Sequence, residues 1–317
     1  MFEVAAEVER AESRIRPYTR ETYLQRSAYL SVLGGADVRC KLENLQHTGS
    51  FKARGAMNKV LVLTADERRR GVITASTGNH GAAVARSASQ VGTACTVVVP
   101  EHADPSKVAA VERLGAAVRL HGDDCVESER FARRWAAEHG VTYVSPYNDP
   151  LVVGGQGTVG LELHRQLDHI DAVFVAVGSG GLISGTAGYL KSRRPGVRFI
   201  GCSPANSAVM MESVKAGRIL DLPSLPTLSD GTAGGVEEDS ITFDLARALV
   251  DEWVTVTEGE IAGSLRRFVD AEHLLIEGAA AVAVASYEKL AERFRDRTVV
   301  IVICGGNISA ETLRTLL

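Results

Sequence analysis

One run in the sequence limits the fold more than any other: Val299-Val-Ile-Val-Ile303, five apolar residues in a row with no polar residue alternating between them. A strand with one face in water alternates, so an unbroken run predicts a strand covered on both faces, the usual situation in a parallel sheet. The rest of the chain agrees with that reading. From Gly71 onward, predicted strands at Val72–Ala75, Cys95–Val99 and Ala117–His121 alternate with helices near Asn79–Val91, Pro105–Leu114 and Asp124–Glu138, and Pro105 suits the first turn of its helix. A helix over Glu3–Arg14, a strand over Val38–Leu42 and a helix over Lys52–Leu63 precede this series. The stretch Pro146–Pro150 interrupts it, and further strands follow at Ala172–Val177, Arg198–Cys202, Trp253–Val256 and Val299–Ile303. Strand–helix alternation implies βαβ units. The expected fold class is α/β, with two open three-layer lobes, largely parallel sheets and a cleft between the lobes.

At 317 residues the chain has room for about two domains. Its net charge of −4 supplies no basic footprint, so neither nucleic acid nor a membrane surface is an expected partner. Cys40, Cys95, Cys125, Cys202 and Cys304 are odd in number and widely spaced, which argues against a disulfide framework or a structural zinc site. No apolar run approaches the roughly 20 residues of a membrane span, and Met1 to Arg16 holds no signal-peptide core. A cytoplasmic location is the expectation.

Four segments could carry chemistry. Thr48-Gly-Ser-Phe51-Lys52 places a lysine at the start of a helix, where the positive end of the dipole lowers an amine's pKa. By itself such a lysine is more often an ordinary surface residue. Ser76-Thr77-Gly78-Asn79-His80-Gly81 lies between a strand and a helix, and its free amides could receive a carboxylate or phosphate, or simply cap the helix. Gly178-Ser179-Gly180-Gly181-Leu182 follows an apolar strand and has the form of a phosphate cradle. It departs from the dinucleotide fingerprint, because Ile183 stands at the third glycine position and no acidic residue ends the next strand. A single phosphate fits it better, with a plain tight turn as the alternative. Cys304-Gly-Gly-Asn307 ends the Val299 strand, where ligands collect in open sheets, although a free cysteine is more often a small buried hydrophobe.

Taken in order, and together with Lys41-Leu-Glu-Asn-Leu-Gln46, Gly155-Gln-Gly157-Thr158 and Leu274-Leu-Ile-Glu277-Gly278, these segments resemble the fold-type II pyridoxal-phosphate enzymes. The similarity runs from about Arg14 to Asn307 and is greatest to serine/threonine dehydratases and serine racemase. It implies pyridoxal 5'-phosphate as cofactor, held as a Schiff base by Lys52 with Phe51 beside it. Asn79 would bond the cofactor's phenolic oxygen, the amides of Gly178, Ser179, Gly180, Gly181 and Leu182 its phosphate, and Cys304 would face its pyridine nitrogen. Ser76, Thr77, Gly78 and His80 would receive the carboxylate of a small amino-acid substrate near Tyr147. Freed Lys52 would take the Cα proton, and loss of the β-hydroxyl would lead to a 2-oxo acid and ammonia. Cys304, as a weak thiol donor, would leave the pyridine largely unprotonated and favour that elimination.

The family pattern also implies a large cofactor-binding domain from residues 1–70 plus 149–317, a small mobile domain from 71–148, and a homodimer. Three positions depart from relatives. Thr77 stands where racemases carry serine, and its methyl restricts rotamers. The loop Ser203–Val209 lacks the carboxylates with which some relatives hold a divalent cation, so no metal is expected there. Tyr147 replaces an asparagine of serine racemase. Other 3-hydroxy amino acids therefore stay open as substrates, among them phenylserine, 3-hydroxyaspartate and a hydroxyectoine-derived acid. Of the competing readings, Thr77 argues against a racemase, His80-Gly81 after Asn79 against β-replacement, the incomplete glycine fingerprint against an oxidoreductase, and Lys52 with Asn79 against a silent binding protein.

Overall fold

The computed structural model describes residues 3–103, 105–123 and 125–316. Met1 and Asp124, which the readings above include, lie outside the described residues. In chain order the strands are β1 (Leu24–Arg26), β2 (Asp37–Leu42), β3 (Val72–Ala75), β4 (Cys95–Val99), β5 (Ala117–Leu120), β6 (Thr142–Tyr143), β7 (Ala172–Ala176), β8 (Arg198–Pro204), β9 (Glu252–Val256) and β10 (Thr298–Ile303). They form a six-stranded sheet in the order β1-β2-β10-β7-β8-β9 and a four-stranded sheet in the order β5-β4-β3-β6. Every pairing is parallel except β1 on β2, a short antiparallel edge.

The run that opened the sequence argument lies inside the larger sheet. β10 sits between β2 and β7, and Val299 to Ile303 are fully buried. Helices cover both faces. The Gly278–Leu290 helix is so rich in alanine that it packs closely, with Gly278 through Tyr287 all buried. Burying a Val or Ile side chain contributes about 1.5–3 kcal/mol, so this layer supplies much of the stability.

The helix Pro150–Gln166 was read from the sequence only as a break at Pro146–Pro150. Its start is well specified: Pro150 stands in the first turn, and the Asp149 carboxylate accepts from the N–H of Leu151 at 2.7 Å. Gly157 and Gly160 permit close contact with the Gly181–Arg193 helix, and Gly155 with the Lys52–Leu61 helix; a β-carbon on Gly157 would lie 2.8 Å from the Gly185 carbonyl oxygen. Tertiary packing overrides weak helix propensity here. The two short strands β1 and β6 also escaped the sequence reading, since neither is long enough to show a period.

Candidate active site

The carboxyl ends of β3, β7 and β10 open into one place, as open parallel sheets lead one to expect. Lys52 reaches it as the first residue of the Lys52–Leu61 helix. The turn before it is tied to the end of β10: the Phe51 N–H donates to the Cys304 carbonyl at 3.1 Å, and Ser50 pairs with Gly305. Backbone bonds thus hold Lys52 and Cys304 in fixed relation. The Lys52 Nζ donates to the Pro146 carbonyl at 2.9 Å and lies 5.3 Å from the Phe51 ring centroid. The residue is half-buried at its surface, but atoms packed round the amine strip its hydration. That desolvation lowers it to about 8, against the pull of Cys304 and Glu277.

The loop after β3 leads into the Asn79–Gln90 helix, whose first-turn N–H groups have no intrahelical acceptor. Ser76 Oγ accepts from the Gly78 N–H at 3.2 Å. The His80 ring turns away from this loop: it is buried and its Nε2 meets the Val144 carbonyl at 3.0 Å. Burial, then Lys52, lower the imidazole to about 3. His80 therefore stays neutral, with its backbone N–H as the group it can offer an anion.

After β7, Gly180 takes a left-handed conformation (φ 83°) as cap of the Gly181–Arg193 helix, which aims the turn's amides outward. A β-carbon on Gly178 would come within 2.9 Å of the Thr232 backbone, so only glycine fits under that neighbouring segment. Thr242 Oγ1 donates to the Ser179 carbonyl at 2.6 Å and fixes the turn from its other side. Tyr147 is buried beside this turn, with its hydroxyl accepting from the Glu237 N–H at 3.1 Å.

The structure adds Glu277, which the sequence reading matched only as part of a motif. It is 3% exposed, and its two oxygens accept from Asn79 Nδ2 at 2.9 and 3.0 Å. Burial raises it to about 7 against the hydrogen bonds from Asn79 and Asn307. Burial, reinforced by Glu277, also pushes the Cys304 thiol well above its usual value, so the sulfur is uncharged. Behind Lys52, Arg54 is fully buried among Glu43, Glu162 and Thr158. Charged residues on a helix ordinarily read as surface, and no local signal reveals this cluster.

Residues 15–305 match the family model described as pyridoxal-phosphate dependent enzyme. The chain belongs to this family. Its residues fit the family's cofactor: a glycine turn with outward amides that no β-carbon could enter, an amine lowered toward neutrality, and an uncharged thiol lie together. Among similar members, the L-threonine ammonia-lyase of Thermotoga maritima is 40% identical over 307 residues, covering 97% of this chain and 76% of that one. Two solved structures superpose closely on this pyridoxal-phosphate enzyme. The processed form of threonine deaminase isoform 2 from Solanum lycopersicum gives a TM-score of 0.92 at 32% identity, covering 98% of this chain and 93% of that one. Maize serine racemase gives 0.92 at 30% identity, covering 98% and 95%.

Proposed function

We propose that this enzyme removes the β-hydroxyl and the α-amino group of a small 3-hydroxy amino acid, L-threonine or L-serine, and releases a 2-oxo acid and ammonia. The observation that carries the reading is Lys52: a desolvated amine, lowered to about 8 and hydrogen-bonded to a neutral carbonyl at the meeting point of three strand ends. Such an amine is a nucleophile and a base near neutral pH. Bound here, pyridoxal phosphate supplies the electron sink that makes a Cα proton removable.

Lys52 would hold the cofactor covalently, with Phe51 beside it, and its Nζ is the base that would take a substrate's Cα proton. The amides of Gly178, Ser179, Gly180, Gly181 and Leu182 bind the phosphate. Asn79 and Cys304 flank the ring as neutral partners. Ser76, Thr77, Gly78 and the His80 N–H receive the substrate carboxylate. Tyr147, buried and held by Glu237, bounds the space for the substrate's side chain and favours a small one. Residues 71–148, which contain β3 to β6, act as the mobile domain against 1–70 plus 149–317.

The working form is a cytoplasmic homodimer. The buried thiols of Cys40, Cys95, Cys202 and Cys304 accord with a reducing compartment, and among the described residues no helix is long and apolar enough to cross a membrane. Exposed Tyr23 and Val32 offer apolar surface to a second copy. The test is to supply pyridoxal phosphate, record the visible spectrum, and assay oxo acid and ammonia with L-threonine and L-serine. A colourless protein, or a coloured one inert toward both acids, overturns the reading.

A further inference from the structure

Glu277 stands at the N-cap position of the Gly278–Leu290 helix at the edge of the site, and among the described residues the donors to its carboxylate are neutral. Asn79 Nδ2 donates to both of its oxygens, the Asn307 N–H donates to Oε2 at 3.1 Å, and the Cys304 thiol is directed at Oε1 from 4.0 Å. A primary amide can face either way, and its neighbours decide which. The Asn307 amide is committed first, because its Nδ2 donates to the Thr48 carbonyl at 2.7 Å. The same Nδ2 donates to Asn79 Oδ1. Asn79 therefore meets a donor on its oxygen side and, when Glu277 is ionised, a pure acceptor on its nitrogen side. A single Nδ2 hydrogen shared between the two Glu277 oxygens accounts for both contacts and leaves the second for the site.

We infer that Glu277 is a positioning residue: by accepting from Asn79 and Cys304 it fixes the N–H that Asn79 presents and draws the thiol hydrogen away from the cofactor's place. The inference rests on the reading above, in which Asn79 and Cys304 flank the cofactor. Protonated, Glu277 becomes a donor itself, and the hydrogen that Cys304 directs at it is released. The charged and titratable groups facing it are Lys52, Asp230 and Cys304. Burial places its own titration at about 7, so the rearrangement falls in the neutral range.

The experiment is a pH titration of the visible band of the enzyme loaded with pyridoxal phosphate, without substrate, from about pH 5.5 to about pH 9, which brackets the raised carboxyl. The wild type is expected to shift its band with a midpoint near 7. Glu277→Gln is expected to lose that step and to bind the cofactor about tenfold more weakly, as one lost charge-assisted hydrogen bond implies. Glu277→Asp, which keeps an ionisable acceptor, retains the step at a displaced midpoint. Identical titrations for wild type and Glu277→Gln overturn the inference, and so does a wild-type band that does not move, whether or not the variants fold. A protein that takes up no cofactor, or whose colour survives Lys52→Ala, defeats the functional reading itself.

Discussion

Glu162 and Glu277 are the same residue type at nearly the same burial, 0% and 3% exposed, yet they are opposite devices. Burial pushes both carboxyls up. At Glu162, Arg54 donates to the two oxygens at 2.6 and 2.9 Å and Lys41 donates at 2.5 Å, and these cations more than offset the desolvation, holding the group at about 2. At Glu277 the hydrogen-bond donors are amides and a thiol, so desolvation wins and the group rises to about 7. The partner's charge, and not the depth, decides which buried carboxylate is a fixed part of the frame and which can titrate at working pH. Glu162 stands in the frame behind the Lys52–Leu61 helix; Glu277 stands where chemistry is expected.

The most severe change removes what both clusters serve. Lys52→Ala is expected to abolish the visible band and to lower oxo-acid release by about a thousandfold or more, since both the covalent anchor and the Cα base are lost. A variant that kept colour and turnover would mean that neither carboxylate flanks the reacting lysine. Next, Arg54→Met leaves Glu43 and Glu162 buried with part of their charge unanswered, which should cost about 3–5 kcal/mol in denaturant unfolding. A loss below about 1 kcal/mol, the scale of an exposed pair, would show that the frame is not held by charge.

The two clusters are alike in how little the sequence discloses them, and both differ from the loops around them. The chemistry-bearing loops are legible because they are local: a buried strand, then glycines or hydroxyl residues, then a helix, as at Gly178–Leu182 and Ser76–Gly81. β10 is legible for the same reason, since five apolar residues in a row carry their own explanation. Glu277 and Glu162 are not, because their states depend on residues brought together only by folding: Asn79 lies 198 positions from Glu277, and Arg54 lies 108 from Glu162. Neither distance leaves a periodic trace. The glycine-rich Pro150–Gln166 helix hid for a related reason, as its glycines are required by a neighbour elsewhere in the chain.

The pH dependence of stability separates the two carboxylates by sign. Glu162, depressed in the fold, contributes stability that is present above the ordinary carboxylate pKa of 4.5 and is lost as pH falls toward about 2. Glu277, raised in the fold, contributes stability that is present below 4.5 and is lost as pH rises through about 7. Glu277→Gln should therefore unfold about 2 kcal/mol harder than the wild type at pH 8 in the cofactor-free protein, with the difference closing by about pH 4.5. A gap that stayed constant with pH would assign it to packing instead of ionisation.

Glu237 gives the smallest and sharpest case, because it lies between the two extremes. It is half-buried, pairs with Arg133 and accepts from Asn148 Nδ2 at 2.7 Å. One cation is present, yet burial still leaves the carboxyl above its ordinary value, opposed by Asn148 and Arg133. If partner charge is what sorts these groups, Arg133→Gln should raise Glu237 further and cost no more than about 1 kcal/mol, since the guanidinium is 38% exposed and partly screened. A raised carboxyl is disfavoured only while ionised, so the loss should appear at neutral pH and vanish as Glu237 protonates in acid. It should also shrink in high salt, which a buried frame pair such as Arg54–Glu162 resists. A loss that persisted equally in acid and in salt would mean that Arg133 acts through its packing over the Tyr143 ring, 4.4 Å from the centroid, and that charge does not order the three carboxylates.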